Sequence, residues 1–167
     1  MSVVLKIGLR LLLAAAVILL GGCLACGDDV PGFGIYLVDN GELVLSEDHI
    51  EAYDADSHTI ELNEAGLEKW SSYVVTTPSP KLKDTLNSRE FAVKVKGETM
   101  YQGTFGSMIS SRIYEGIVIM EPTFNFGFDG NTIRIEYNYP GPAVNPEDDP
   151  RNHPELLDFF EEKGLLR

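Results

Sequence analysis

Phe91-Ala92-Val93-Lys94-Val95-Lys96-Gly97-Glu98 is the stretch on which the reading of the fold turns. Apolar side chains recur at every second position, which is the period of an extended strand, so Phe91, Val93 and Val95 are predicted to share one buried face. Gly97 then supplies a turn. Beyond it, Met100-Tyr101-Gln102-Gly103-Thr104-Phe105 returns as a second strand, and Ile113-Tyr114-Glu115-Gly116-Ile117-Val118-Ile119-Met120 adds a third. Phe124, Phe126 and Phe128 alternate, Asp129-Gly130 turns, and Ile133, Ile135, Tyr137 and Tyr139 alternate against Arg134, Glu136 and Asn138. That pattern predicts a hairpin with one wet face.

On the N-terminal side, Phe33-Gly34-Ile35-Tyr36-Leu37-Val38 has the β-branched and aromatic content of a strand. Asp39-Asn40-Gly41 predicts a turn with Asn-Gly as its positive-φ pair, and Glu42-Leu43-Val44-Leu45 the returning strand. Ser46-Glu47-Asp48-His49 reads as the capped start of a short helix through Tyr53. His58-Thr59-Ile60-Glu61-Leu62 is strand-like again. Asn63 caps a helix in which Leu67 and Trp70, with Tyr73 or Val74, recur at helical spacing toward the core, and Thr76-Thr77-Pro78-Ser79-Pro80 ends it in a loop.

Residues 140–167 hold an acidic, proline-rich linker from Pro140 to Pro150. A final helix opens at Pro154, with Leu156, Phe159 and Phe160 on one face before Gly164. This helix is expected to dock on its own sheet; a detachable partner-binding helix is the alternative. Together these patterns predict the α+β class: a small mixed or mainly antiparallel sheet, one or two helices packed on it, and a C-terminal helix. The 167 residues suit one domain, over 33–139, behind a targeting segment.

That segment is the clearest signal in the chain. Lys6 and Arg10 precede the uncharged run Leu11–Leu20, and Gly21-Gly22-Cys23 follows. A charged n-region, a short apolar h-region and small residues before a cut are the layout of a secretory signal. A spanning helix needs ~20 apolar residues, more than the run from Leu11 to Cys26 provides, so an uncleaved anchor is the weaker alternative. Both cysteines lie in Cys23-Leu24-Ala25-Cys26, the spacing of a redox or metal half-site. No further cysteine completes a zinc site and no βαβ pattern follows.

Leu20-Gly21-Gly22-Cys23 resembles the bacterial lipobox, an aliphatic residue and two small ones before a cysteine. The resemblance implies that the Cys23 thiol receives a diacylglycerol and that cleavage ahead of it makes Cys23 the new, acylated N-terminus. Residues 1–22 are then a lipoprotein signal peptide and 23–32 a lipidated tether. Cys26 fits less well, because Cys23 would occupy the aliphatic position.

The formal charge is −13, and a cut before Cys23 removes Lys6 and Arg10 but no acid, leaving −15. Such a chain repels phosphate backbones and anionic lipid surfaces, so nucleic acid is excluded as an expected partner. Lys81, Lys83, Lys94 and Lys96 form the densest basic stretch and read as solvated faces.

No constellation points to catalysis. His49, His58 and His153 are too far apart for a metal pair and read as surface or capping residues. Asp54-Ala55-Asp56-Ser57-His58 opens like a calcium loop, but Ala65 occupies the position that needs a bidentate Glu. Ser110-Ser111 lacks a nucleophile elbow, and Gly103-Thr104-Phe105-Gly106-Ser107 lacks the phosphate-loop lysine. No cofactor, metal ligand or catalytic residue is expected.

The middle of the chain resembles the first periplasmic head subdomain of the SecD and SecDF export subunits. The matching residues are Val44–Ile50, Ile60–Trp70, and Phe91–Glu98 leading to Ser110-Ser111 and Gly116–Ile119, within roughly Phe33 to Glu121. The resemblance implies a strand–helix–strand order and an envelope context. It implies no mechanism, because SecD couples export to the proton gradient through transmembrane helices, and no apolar run of that length follows residue 26. The expected function is that of a membrane-tethered, non-catalytic module that binds a protein partner. The alternatives are an acidic inhibitor of a cationic secreted enzyme, a small envelope hydrolase with an acid pair, and a structural lipoprotein that self-associates through a strand edge.

Overall fold

The computed structural model describes residues 30–73, 86–107, 110–121, 130–141 and 149–167. The elements are β1 (Phe33–Leu37), β2 (Leu43–Ser46), a 3-10 turn (Glu47–His49), β3 (Ile50–Asp54), β4 (Thr59–Leu62), α1 (Glu64–Ser71), β5 (Glu90–Val95), β6 (Glu98–Gly106), β7 (Ile117–Met120), β8 (Thr132–Tyr137), a second 3-10 turn (Pro150–Asn152) and α2 (Pro154–Glu162). The expected strands Phe124–Phe128 and the linker over 142–148 lie outside the described residues, as do Cys23, the signal segment and the Pro78–Pro80 loop.

The sheet is larger than the small one expected. Eight strands run in the order β2-β1-β5-β6-β7-β8-β4-β3, antiparallel except for the β6–β7 pair. Phe91, Val93 and Val95 of β5 are all buried, as the alternation predicts, and β5 pairs with β1 on one side and β6 on the other. The positive-φ pair falls at Lys96-Gly97, in the turn between β5 and β6, and not at Asn40-Gly41. There only Gly41 is left-handed, and the Asn40 side chain accepts the Glu42 N–H at 2.9 Å.

Connectivity bends this sheet. β2 and β3 stand at opposite ends of the strand order, yet three residues join them. The sheet therefore curls into a half-barrel until its two edges are neighbours. Glu47 braces this corner by accepting the Gly32 and Phe33 N–H groups at 2.7 and 3.1 Å, and the Ser46 N–H donates to His49 Nδ1 at 3.0 Å. The helix expected from Ser46 to Tyr53 stops after that single turn. Ile50 is already extended, and Ile50 and Tyr53 gain buried pairings with Leu62 and Ile60 that a helix would forfeit.

Both helices meet the curled sheet. Asn63 caps α1 by accepting the Gly66 N–H at 2.9 Å, and its amide donates to the Asp48 carbonyl at 2.8 Å. The inward row of α1 is Gly66 and Trp70, whereas Leu67 is 38% exposed, contrary to the Leu67–Trp70 expectation. Gly66 explains the rotation: its backbone lies against the His49 carbonyl, and a Cβ there would overlap that oxygen. β7 begins at Ile117 instead of Ile113, because Gly116 takes φ +77° and leaves Ile113 in solvent. On α2, Leu156, Phe159 and Phe160 are buried in the same core as Phe33, Tyr53 and Phe91, and Pro154 stands in the first turn.

Candidate functional site

The concentration of perturbed groups lies where α2 enters the sheet. His58 belongs to the β3–β4 turn, whose Asp54 carboxylate accepts the Ser57 N–H at 2.8 Å. That contact accounts for the Asp54–His58 segment as a hairpin turn. His58 is left-handed, φ 51°, and its carbonyl accepts the Ile135 N–H from β8 at 2.9 Å. Its ring is thereby turned inward and is buried, not at the surface as the sequence suggests.

A chain of polar contacts follows. The Tyr53 hydroxyl lies 3.1 Å from His58 Nδ1, and His58 Nε2 lies 3.5 Å from Asp149 Oδ2. Arg151 grips the Asp149 carboxylate through Nε and Nη2, donates from Nη1 to the Ile135 carbonyl at 2.6 Å, and stacks over the Tyr137 ring. Asp149 also accepts the Arg151 N–H at 3.0 Å as the cap of the second 3-10 turn. With neutral His58, one arrangement satisfies both ring nitrogens: Tyr53 donates to Nδ1, and Nε2–H points at Asp149.

The electrostatics agree with that arrangement. Burial, aided by the Arg151 charge, holds His58 below its ordinary pKa, with Asp149 opposing. Burial pushes the Asp149 carboxyl up, but the hydrogen bonds and charge of Arg151 outweigh it, and the net shift is downward. Burial also raises the Tyr53 and Tyr101 hydroxyls, and Tyr101 Oη has no hydrogen-bond partner among the described residues. The polar side chains of Tyr53, His58, Asp149 and Arg151 are each committed to another member of this set. Its chemistry is that of a tie between the β3–β4 turn, β8 and the start of α2.

A second polar cluster stands at the carboxyl ends of the parallel strands β6 and β7. Ser107 follows β6 and Glu121 follows β7. Glu121 accepts the Asn87 N–H at 3.0 Å, and the buried Ser107 hydroxyl stands beside it, outside hydrogen-bond geometry. The Ser107 N–H donates to the Tyr114 hydroxyl at 3.0 Å. Burial raises the Glu121 carboxyl, with the Asn87 N–H opposing. A raised carboxyl favours the folded state only while protonated, so this contribution is present below the unfolded value of 4.5 and lost as pH rises through the folded value. Glu121→Gln is therefore expected to melt above the wild type at pH 7, with the gap closing below pH 4.5 in a pH series of thermal melts. Equal melting points at pH 7 would contradict the burial of the charge.

The other sequence candidates are dispersed. His49 is a bracing residue of the β2–β3 corner, and Ser110 and Ser111 are exposed, with Ser110 Oγ accepting the Arg112 N–H at 3.2 Å. Cys23, the lipidation residue, lies outside the described residues, as does Cys26. Among the described residues no group of three His, Cys, Asp or Glu side chains is placed to hold a metal ion, and no helix is long and apolar enough to cross a membrane. Sequence reading missed the Tyr53–His58–Asp149–Arg151 chain. Its faint signal is Asp149-Pro150-Arg151, a cap followed by a proline, inside a stretch that composition marks as linker. The chain matches no protein-family model, no curated protein and no solved structure.

Proposed function

We propose that this protein is a lipid-anchored, non-catalytic module of the bacterial cell envelope that engages a protein partner outside the cytoplasm. The observation that carries the reading is Leu20-Gly21-Gly22-Cys23 directly after a charged n-region and an apolar h-region. The first strand starts at Phe33, which leaves the ten residues 23–32 as a tether between lipid and domain. The charge of −15 after cleavage favours a cationic partner, and the resemblance to the SecD head directs the search first to envelope export machinery.

Radiolabelled palmitate fed to a bacterial host expressing the chain tests the anchor. Label is expected on the wild type and on Cys26→Ala. Cys23→Ala is expected to lose it and to accumulate as the longer precursor. An unlabelled wild type would overturn the reading. Association with the partner is expected to weaken steeply with added salt, since the long-range part of the attraction is screened over ~10 Å at 0.1 M.

A further inference from the structure

β3 is the last strand of the sheet, and its outer edge is already in use. The Tyr53 N–H donates to the Leu165 carbonyl at 2.7 Å, the Arg167 N–H donates to the Tyr53 carbonyl at 2.8 Å, and Leu166 bridges Tyr53 in parallel. The Ala55 N–H reaches the Arg167 carbonyl at 3.4 Å. Gly164, at φ +69°, turns the chain out of α2 onto this edge. Leu165 and Leu166 are only half-buried, and the exposed Arg167 guanidinium rests on Glu61 of the neighbouring strand β4. Three residues, two of which also donate their N–H groups to the Phe160 carbonyl at 2.8 and 3.2 Å, thus fill a slot defined by strand-edge donors and acceptors, two apolar positions and one carboxylate.

We propose that the outer edge of β3 is a docking groove for an extended segment of another protein, two apolar residues followed by a cation. The chain's own Leu165-Leu166-Arg167 occupies that groove in cis. A strand edge accepts an added strand through main-chain bonds, with side-chain pockets setting specificity. Here Glu61 selects a cation at the third position, which agrees in sign with the −15 charge of the cleaved chain. A covalently attached tail competes at an effective concentration on the order of millimolar, so it screens the groove against weak ligands and yields to a stronger one. The inference deepens the proposed binding role by naming the class of partner, and it is independent of the lipid.

The probe is a fluorescent peptide with the sequence of residues 163–167, blocked at its N-terminus and followed by anisotropy against the detergent-solubilised full chain and against a chain ending at Gly164. The shortened chain is expected to bind at least tenfold more tightly, with affinity falling as salt rises, and Glu61→Lys in that chain is expected to abolish binding. A shortened chain that keeps its near-UV circular dichroism yet gives no anisotropy change, or equal affinity for both chains, would overturn the proposal. So would concentration-dependent dimerisation of the shortened chain in place of peptide binding, since a second copy would then be the occupant. Should the shortened chain fail to fold, Arg167→Pro in the full chain removes both the N–H given to Tyr53 and the cation. The same tenfold gain is expected from it, and no gain overturns the proposal. Palmitate labelling reads Cys23 and peptide anisotropy reads the β3 edge, so failure of one is distinguishable from failure of the other.

Discussion

Phe160→Ala is expected to cost about 3–5 kcal/mol of stability, the range for removing a buried phenylalanine from a packed core. Phe160 is fully buried and joins distant strands of the order, the second and the last: its ring centroid lies 4.9 Å from that of Phe33 on β1 and 4.7 Å from that of Tyr53 on β3, with Phe159 at 5.7 Å. The cavity would open where the curled sheet and α2 meet, and the fixed β2–β3 corner limits how far the walls can collapse into it. Urea unfolding compared with Leu67→Ala, an exposed position where about 0.5 kcal/mol or less is expected, checks the contrast. A Phe160→Ala loss below about 1 kcal/mol would mean that α2 is not part of the core.

Asp149→Ala has an expected cost of similar size, about 3–5 kcal/mol, for a different reason. It leaves the Arg151 guanidinium, whose side chain is 11% exposed, without its carboxylate, and it removes the cap of the 3-10 turn that starts the approach to α2. Removing both charges with Asp149→Leu and Arg151→Met is expected to cost less than Asp149→Ala alone, because no uncompensated charge remains. A double variant less stable than the single one would show that the pair stabilises more than its desolvation costs.

The same chain sets the acid response. The lowered pKa of His58 gives a stability contribution that is complete above its unfolded value of 6.5 and is lost as pH falls through that value toward the folded one. The lowered pKa of Asp149 adds a second loss as pH falls below 3.8. His58→Asn, which tolerates the left-handed backbone and does not titrate, is expected to remove the first slope and keep the second in unfolding midpoints measured from pH 7.5 downward.

Local signals in this sequence are legible where one periodicity dominates. β5, the Asn63 cap and the apolar face of α2 are all readable from spacing, because each is decided by a handful of neighbouring residues. Where a local and a long-range preference compete, the long-range one wins. The Ser46–His49 cap starts one turn, and pairing of Ile50 with Leu62 ends it; α1 rotates because Gly66 admits the His49 carbonyl. Neither partner is a sequence neighbour. The polar chain was illegible for the same reason: Tyr53, His58, Asp149 and Arg151 are brought together only by the curl of the sheet and the docking of α2.

The strand order also dictates a schedule. β1 lies between β2 and β5, so its second side is paired only when the chain has been delivered past Val95, and Thr59 of β4 meets its partner Arg134 only 75 positions later. Each such closure exacts a loop entropy before its contacts are made, and folds dominated by distant pairings assemble slowly. The sheet therefore has no complete form until β8 is present, and the core that it encloses closes only when α2 docks.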